Sequence, residues 1–386
     1  MIPLSEYCAT MKSKFFSATI LSLLMFFSFS GWSQSFSFPG TRQGNYTGVQ
    51  SVFFNPAQAA DSRYKFDLNL FGINAGLANN KASFSLGSVF STFSSNDALN
   101  SLFSGDGRIS GQTQMDLVGP SLLISLPKKS GIAITSRLRG QFNITDLDGK
   151  LAKSILNDVN SEITFPYTIS SGNNMRININ GWAEYGISYG RVLKEEGNHF
   201  LKIGLTVKYL AGVGNTYLQV DQLTGIITNN PNLPNSSVYL APGSRGVIGL
   251  GISGNIGSLT PSDHLKSSSN GFGADLGLVY EYREGGTSNH PYKYRIAASL
   301  LDLGSIKYSR DLNSSGTYTM MVNSLPGFDL ATLQGISIDN YKQVLSNIPN
   351  FTPAANNNEP TLNVSLPTSL QLYGDVHIKN NIYISA

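Results

Sequence analysis

The sequence is poor in charge and almost without cysteine. Lys, Arg, Asp and Glu make up 13% of the 386 residues, where a soluble domain carries about 25%, so much of the folded surface is expected to avoid water. The formal charge of +3 is too small to point to nucleic acid. A single cysteine, Cys8, excludes a disulfide framework and leaves a zinc cluster without thiolates. The four histidines, His199, His264, His290 and His377, are scattered without ligand spacing. No run of 18 apolar residues follows the N-terminal region, which excludes transmembrane helices as the scaffold. No G-x-S-x-G elbow occurs, and Gly271-Phe272-Gly273 and Gly251-Ile252-Ser253-Gly254 lack the strand–loop–helix context of a phosphate site. We therefore expect no catalytic residue, no metal and no cofactor.

What the chain does have is alternation. From Gly271 to Tyr282, Phe272, Ala274, Leu276, Leu278, Tyr280 and Tyr282 share one parity. Gly273, Asp275, Gly277 and Glu281 share the other, with Val279 the apolar exception. After a polar turn, Tyr292, Tyr294, Ile296, Ala298 and Leu300 oppose Lys293, Arg295, Ala297 and Ser299. Successive side chains of a strand face opposite ways, so each run presents one apolar and one mainly polar surface. Each is about as long as the 9–11 residues of a tilted transmembrane strand. The tyrosines beside the turn stand where a membrane barrel keeps its aromatic girdle.

The same form recurs along the chain. Tyr64–Phe71, Met115–Leu126, Ile132–Ile144, Arg176–Val192 and Leu201–Tyr209 alternate, with Tyr185, Tyr189 and Phe200 expected outward near the turn at Lys194–Asn198. Leu370–Ile378 and Ile382–Ala386 read as two more strands. Short turns near 127–131, 194–198, 284–290 and 379–381 alternate with long connections at 145–175, 254–270 and 310–360, the asymmetry of outer-membrane barrels. Residues 213–253 break the count, and either a long inner turn joins their strands or, the favoured reading, their hairpin extends past the membrane. A short helix is expected within Asp148–Val159, and 310–360, polar and irregular with one amphipathic stretch at Ile336–Ile348, as an outer loop folding over the mouth or into the lumen. At Leu301-Asp302-Leu303-Gly304 the phase flips, so that Leu301 and Leu303 take the apolar parity and Ile306 resumes it after Gly304. A β-bulge accounts for the flip, with Asp302 pointing away from lipid.

Three parts follow. Residues 1–33 hold an upstream extension and a signal peptide, with Met11, Lys12 and Lys14 before an apolar stretch from Phe15 to Phe29 and cleavage after Ser33. Residues 34–63 form an N-terminal segment in which Asn55 caps a short helical turn opened by Pro56 and Ala57. Residues 64–386 form an all-β, transmembrane antiparallel β-barrel of about 12–14 strands, incomplete at its C-terminus because a barrel must close. Arg137, Arg139, Arg176, Glu184, Lys202, Lys208, Asp275, Lys293 and Arg295 share the polar parity and would line the lumen. There they would either pair with one another in a filled interior or form a polar conduit.

SVFFNPAQAADS, residues 51–62, resembles the Asn-Pro-Ala signature of FadL-like long-chain fatty-acid transporters. GFGADLGLVYEY, AASLLDLGSIKY and LPTSLQLYGDVHI are similar to a Bacteroidota outer-membrane family of unknown function, distantly FadL- or PorV-like, whose members often continue into an OmpA-like domain. The resemblance implies about 14 strands and places Asn55, Pro56 and Ala57 near the barrel interior. The first functional expectation is transport of a hydrophobic or small solute across the bacterial outer membrane, with membrane lipid as a partner. The second is a non-transporting envelope protein, tethered to peptidoglycan through a C-terminal domain missing here or accessory to protein secretion and surface attachment. A soluble secreted β-sandwich is the third reading.

Overall fold

The computed structural model describes residues 47–80, 107–151, 164–170, 175–229, 238–254, 269–283, 292–333, 336, 340–355, 359–379 and 382–385. The expected signal peptide, the turn at 284–290 and most of the expected helix within Asp148–Val159 lie outside them.

The fold is all-β and antiparallel. The first strands are β1 (Phe66–Asn69), β2 (Gly72–Asn79), β3 (Arg108–Val118), β4 (Ser121–Leu126), β5 (Ser130–Asp148) and β6 (Tyr167–Ser170). The long β7 (Met175–Glu196) and β8 (His199–Asn229) follow, then β9 (Val238–Leu240), β10 (Arg245–Gly254), β11 (Asn270–Tyr282) and β12 (Tyr294–Ser309). The chain continues through β13 (Gly316–Met321), β14 (Phe328–Asp329), a helix α1 (Tyr341–Asn347), β15 (Phe351–Pro353), β16 (Thr361–Ser365), β17 (Ser369–Lys379) and β18 (Ile382–Ser385). The run expected as one strand over Met115–Leu126 is two, because Pro120 has no N–H to give a ladder and β3 ends at Val118.

Across the sheet the order is β18, β17, β12, β11, β8, β7, β5. The far edge of β5 then pairs with β3 and β4, which pair in turn with β2 and β1. No ladder among the described residues joins β18 to β1 or β2, so this sheet is open. It is also strongly curled. Three strands separate β5 from β12, about 19 Å of backbone in a flat sheet, yet Arg139 on β5 and Asp302 on β12 meet at 2.7 Å.

β8 is long enough to serve two structures. Its first half pairs with β11, and Gly214–Thr224 pairs with β10. That second half, with β10, β13 and α1, encloses an apolar core that includes Leu223, Ile227, Tyr318, Met320, Leu345 and Phe351. Of the region 213–253, Gly214–Thr224 and Arg245–Gly254 do pair as an antiparallel hairpin. The polar outer loop expected over 310–360 is instead largely folded into this lobe, because its apolar residues find partners on β8 and β10 rather than near themselves in sequence. In the lobe Tyr341 is buried, which raises its phenol above the ordinary range, with Tyr318 and Tyr217 adding to the effect.

Apolar side chains of the main sheet stand exposed on its outer face, among them Ile187, Ile203, Leu205, Leu276 and Leu278. Several expected outward residues turn inward instead, Leu301 among them. Phe200 is buried beneath the Arg283 guanidinium, 3.5 Å from its ring centre. Tyr292 lies just before β12, outside the ladder that enforces alternation, and is buried under Arg295. Ile306 is buried with Trp182, Leu210 and Tyr308. The β11–β12 register slips between Ala274 and Leu276, and this bulge reverses the facing of everything beyond it.

Candidate functional site

Thr47 to Ala60 crosses the inner face of the sheet. Gly48–Phe53 and Pro56–Ala59 are short 3₁₀ turns. Between them Asn55 is extended, accepting a hydrogen bond on Oδ1 from the Ala57 N–H at 2.9 Å. Its Nδ2 donates to the carbonyls of Leu278 and Ala298 at 3.2 Å each. Asn55 thus caps the turn and ties it to two strands.

The sheet makes room for this segment with a belt of glycines. Gly131, Gly190, Gly204 and Gly277 are register partners in sequence across β5, β7, β8 and β11. Ser299 of β12 continues the row, its hydroxyl donating to the Phe54 carbonyl at 2.7 Å. A β-carbon on Gly131 would collide with the Ala59 carbonyl, one on Gly204 with Pro56, and one on Gly277 with Asn55 and Ala57. Backbone therefore meets backbone, which only glycine permits. Val279, the apolar exception of its strand, packs beside Ala57, Ala297 and Tyr373 under the same segment.

Two clusters of charge flank the segment. At its C-terminal end Lys202 donates to Gln58 Oε1 at 2.7 Å and to the Ala60 carbonyl at 3.2 Å, and Gln58 donates to Tyr373 at 2.8 Å. Arg283 reaches Asp61 at 3.2 Å and Glu281 at 2.7 Å, and Arg295 pairs with Asp375 at 2.7 Å. The other cluster joins strands. Arg137 meets Glu184 at 2.8 Å. Arg139 meets Asp302 at 2.7 Å, Asp116 at 3.4 Å and Glu184 at 3.5 Å. Lys208 meets Asp275 and Asp302 at 2.7 Å each, and Glu184 at 3.3 Å. The Arg139 guanidinium lies 4.8 Å from the Trp182 ring centre. Charges so deeply buried persist only when paired, and these three cations and four carboxylates are ion-paired with one another, although Arg139 Nε and Glu184 Oε2 lack a hydrogen-bond partner among the described residues.

Of the residues singled out from sequence, Arg137, Arg139, Glu184, Lys208 and Asp275 come together here. Lys202 and Arg295 lie in the first cluster, and Asn55, Pro56 and Ala57 form the segment itself. Arg176 does not join them, being exposed with its guanidinium 5.1 Å from the Tyr217 ring centre. Lys293 is half-buried just before β12, its N–H donating to the Tyr282 carbonyl. Asp116, Asp302, Asp375 and Gln58 were not among them. The bulge is the signal that could have promoted Asp302, whose N–H donates to Asp275 at 2.7 Å. Among the described residues no group of His, Cys, Asp and Glu is arranged to hold a metal, and no helix is long and apolar enough to cross a membrane.

No curated protein and no solved structure matches this chain. Residues 56–386, beginning at the Pro56 that rests on the glycine belt, match the family described as Family of unknown function (DUF5723). With most of its length matched, the chain belongs to that family.

Proposed function

We propose that this chain forms the membrane-embedded wall of an outer-membrane β-barrel whose inner face is filled. The observation that carries the reading is an inverted polarity. Ile187 is 63% and Leu370 68% exposed on the outer face, whereas Lys208 and Glu184 are each 2% exposed on the inner one. Water would favour the opposite arrangement, and hydrocarbon favours this one. The band has a fitting height. Tyr282 pairs with His199 at one end of β11 and β8, and Phe272 with Tyr209 at the other. Tyr282 stacks on Tyr294 with ring centres 5.2 Å apart, and Tyr209 meets Phe272 edge to face at 5.8 Å. Ten residues of strand at about 3.3 Å each, tilted about 40°, rise about 25 Å, the height of the apolar band in such barrels.

Of the two roles the sequence leaves open, the geometry favours the non-transporting envelope protein. A FadL-like path for a hydrophobic solute along this inner face would run through Arg139, Glu184, Lys208 and Asp302 and then meet the segment on the glycine belt. The test has two arms. Expressed with its leader, the protein should fractionate with outer membranes and migrate faster unheated than boiled; recovery as a soluble, heat-insensitive species overturns the membrane reading. Reconstituted into liposomes, it should not accelerate release of small solutes, and rapid release would restore the conduit.

A further inference from the structure

On the outer face an apolar groove of about 510 Å³ crosses β7, β8, β11, β12 and β17, a volume within the range of small-molecule sites. Leu193, Ile203, Leu205, Leu276, Leu278 and Leu300 wall it. It dips at Ala298, which register sets beside Leu278 where the neighbouring outward positions carry the larger Ile296 and Leu300.

One charged residue lines this groove, Arg191. It has the outward parity of Tyr185, Ile187, Tyr189 and Leu193, all exposed, and is itself exposed. Register pairs it with Ser130, next to the short turn that carries the exposed Lys128. Arg191 makes no ion pair with any described residue, unlike the inner-face arginines. A lone guanidinium facing hydrocarbon is costly, and it is relieved where the side chain reaches an anionic group at the headgroup level. Its planar fork of donors suits a phosphodiester.

Resting on the outer-membrane reading above, we propose that this groove is a binding site for one glycerophospholipid of the periplasmic leaflet. An acyl chain lies over Ala298 between the leucine walls, and the anionic phosphodiester sits on Arg191. Short turns mark the periplasmic side of such barrels, and Arg191 lies toward that end of β7.

The full chain, extracted from outer membranes in mild detergent, is incubated with phosphatidylglycerol or with diacylglycerol of the same acyl chains, and retained lipid is counted by native mass spectrometry. The expected result is retention of one phosphatidylglycerol, not of diacylglycerol and not displaced by millimolar inorganic phosphate. Arg191→Gln should lower retention about tenfold, the scale of one charge-assisted contact. Ala298→Trp, which fills the groove on a face that tolerates apolar bulk, should do the same. Wild-type retention by either variant, equal retention of the two lipids, or displacement by phosphate alone overturns the proposal. Each variant is scored for outer-membrane recovery and heat-modifiable migration, so a wild-type chain that passes both while failing to select lipid sinks the site and leaves the membrane reading standing.

Discussion

Arg139 and Asp302 lie on strands with three others between them, and the Nη1 of one donates to the Oδ2 of the other at 2.7 Å. The contact exists only because the sheet curls, and it reports on that curl. Asp302→Asn keeps the shape and the left-handed backbone conformation (φ 58°) that asparagine tolerates, but removes the charge shared by Arg137, Arg139 and Lys208. Leaving buried cations short of a partner should cost about 3–5 kcal/mol. Urea unfolding of the detergent-folded protein, followed by the fluorescence of Trp182 beside Arg139, measures it. An unchanged midpoint would mean the network contributes nothing to holding the strands.

Gly204→Ala should dislodge the segment at 55–60, since the added methyl meets Pro56 backbone that cannot rotate away. Overpacking of this kind costs about 1–3 kcal/mol. Limited proteolysis should cut the N-terminal segment faster in the variant. Gly140→Ala, whose new methyl would find only the Met115 carbonyl at 4.0 Å, is the control and should behave as wild type.

Asn55→Ala removes the cap on the Ala57 N–H and two bonds to strand carbonyls. The expected loss is about 1–3 kcal/mol, read as faster amide exchange confined to the segment and to the facing positions of β11 and β12. Exchange that rises evenly through the sheet would contradict a local tether.

An arginine on the outer face separates membrane from water. Leu205→Arg, midway between His199 and Tyr209, should destabilise the lipid-inserted protein by about 2–4 kcal/mol, and His199→Arg at the end of the band by about 1 kcal/mol or less. Folding yield into vesicles, scored by heat-modifiable migration, gives the comparison. A soluble protein would tolerate both changes equally.

Much of the sheet was legible because period two survives wherever a ladder is long and one face is apolar, as in Phe272–Tyr282 and Leu201–Tyr209. Legibility failed where a neighbour rather than a period sets the facing. Tyr292 lies outside its ladder, and Ile306 lies beyond a bulge that the phase flip at Leu301–Gly304 did mark but whose reversal persists past Gly304. The lobe was missed because Tyr318 and Met320 find their partners on β10, some 70 residues away, and such pairings leave no local mark. The charged residues could be assigned to one parity, but which would touch was a property of curvature. That Gly131, Gly190, Gly204 and Gly277 form one line follows only from the register of four strands.

That line of glycines has a consequence for how this surface can change. A glycine can be replaced only by something larger, so every substitution along the row adds atoms where there is no vacancy, and none can loosen the fit by subtraction. Any repair must come from the opposite side, through shortening or rerouting of the Asn-Pro-Ala strap. The two are bound to vary as lock and key, with the freedom to innovate resting on one partner alone.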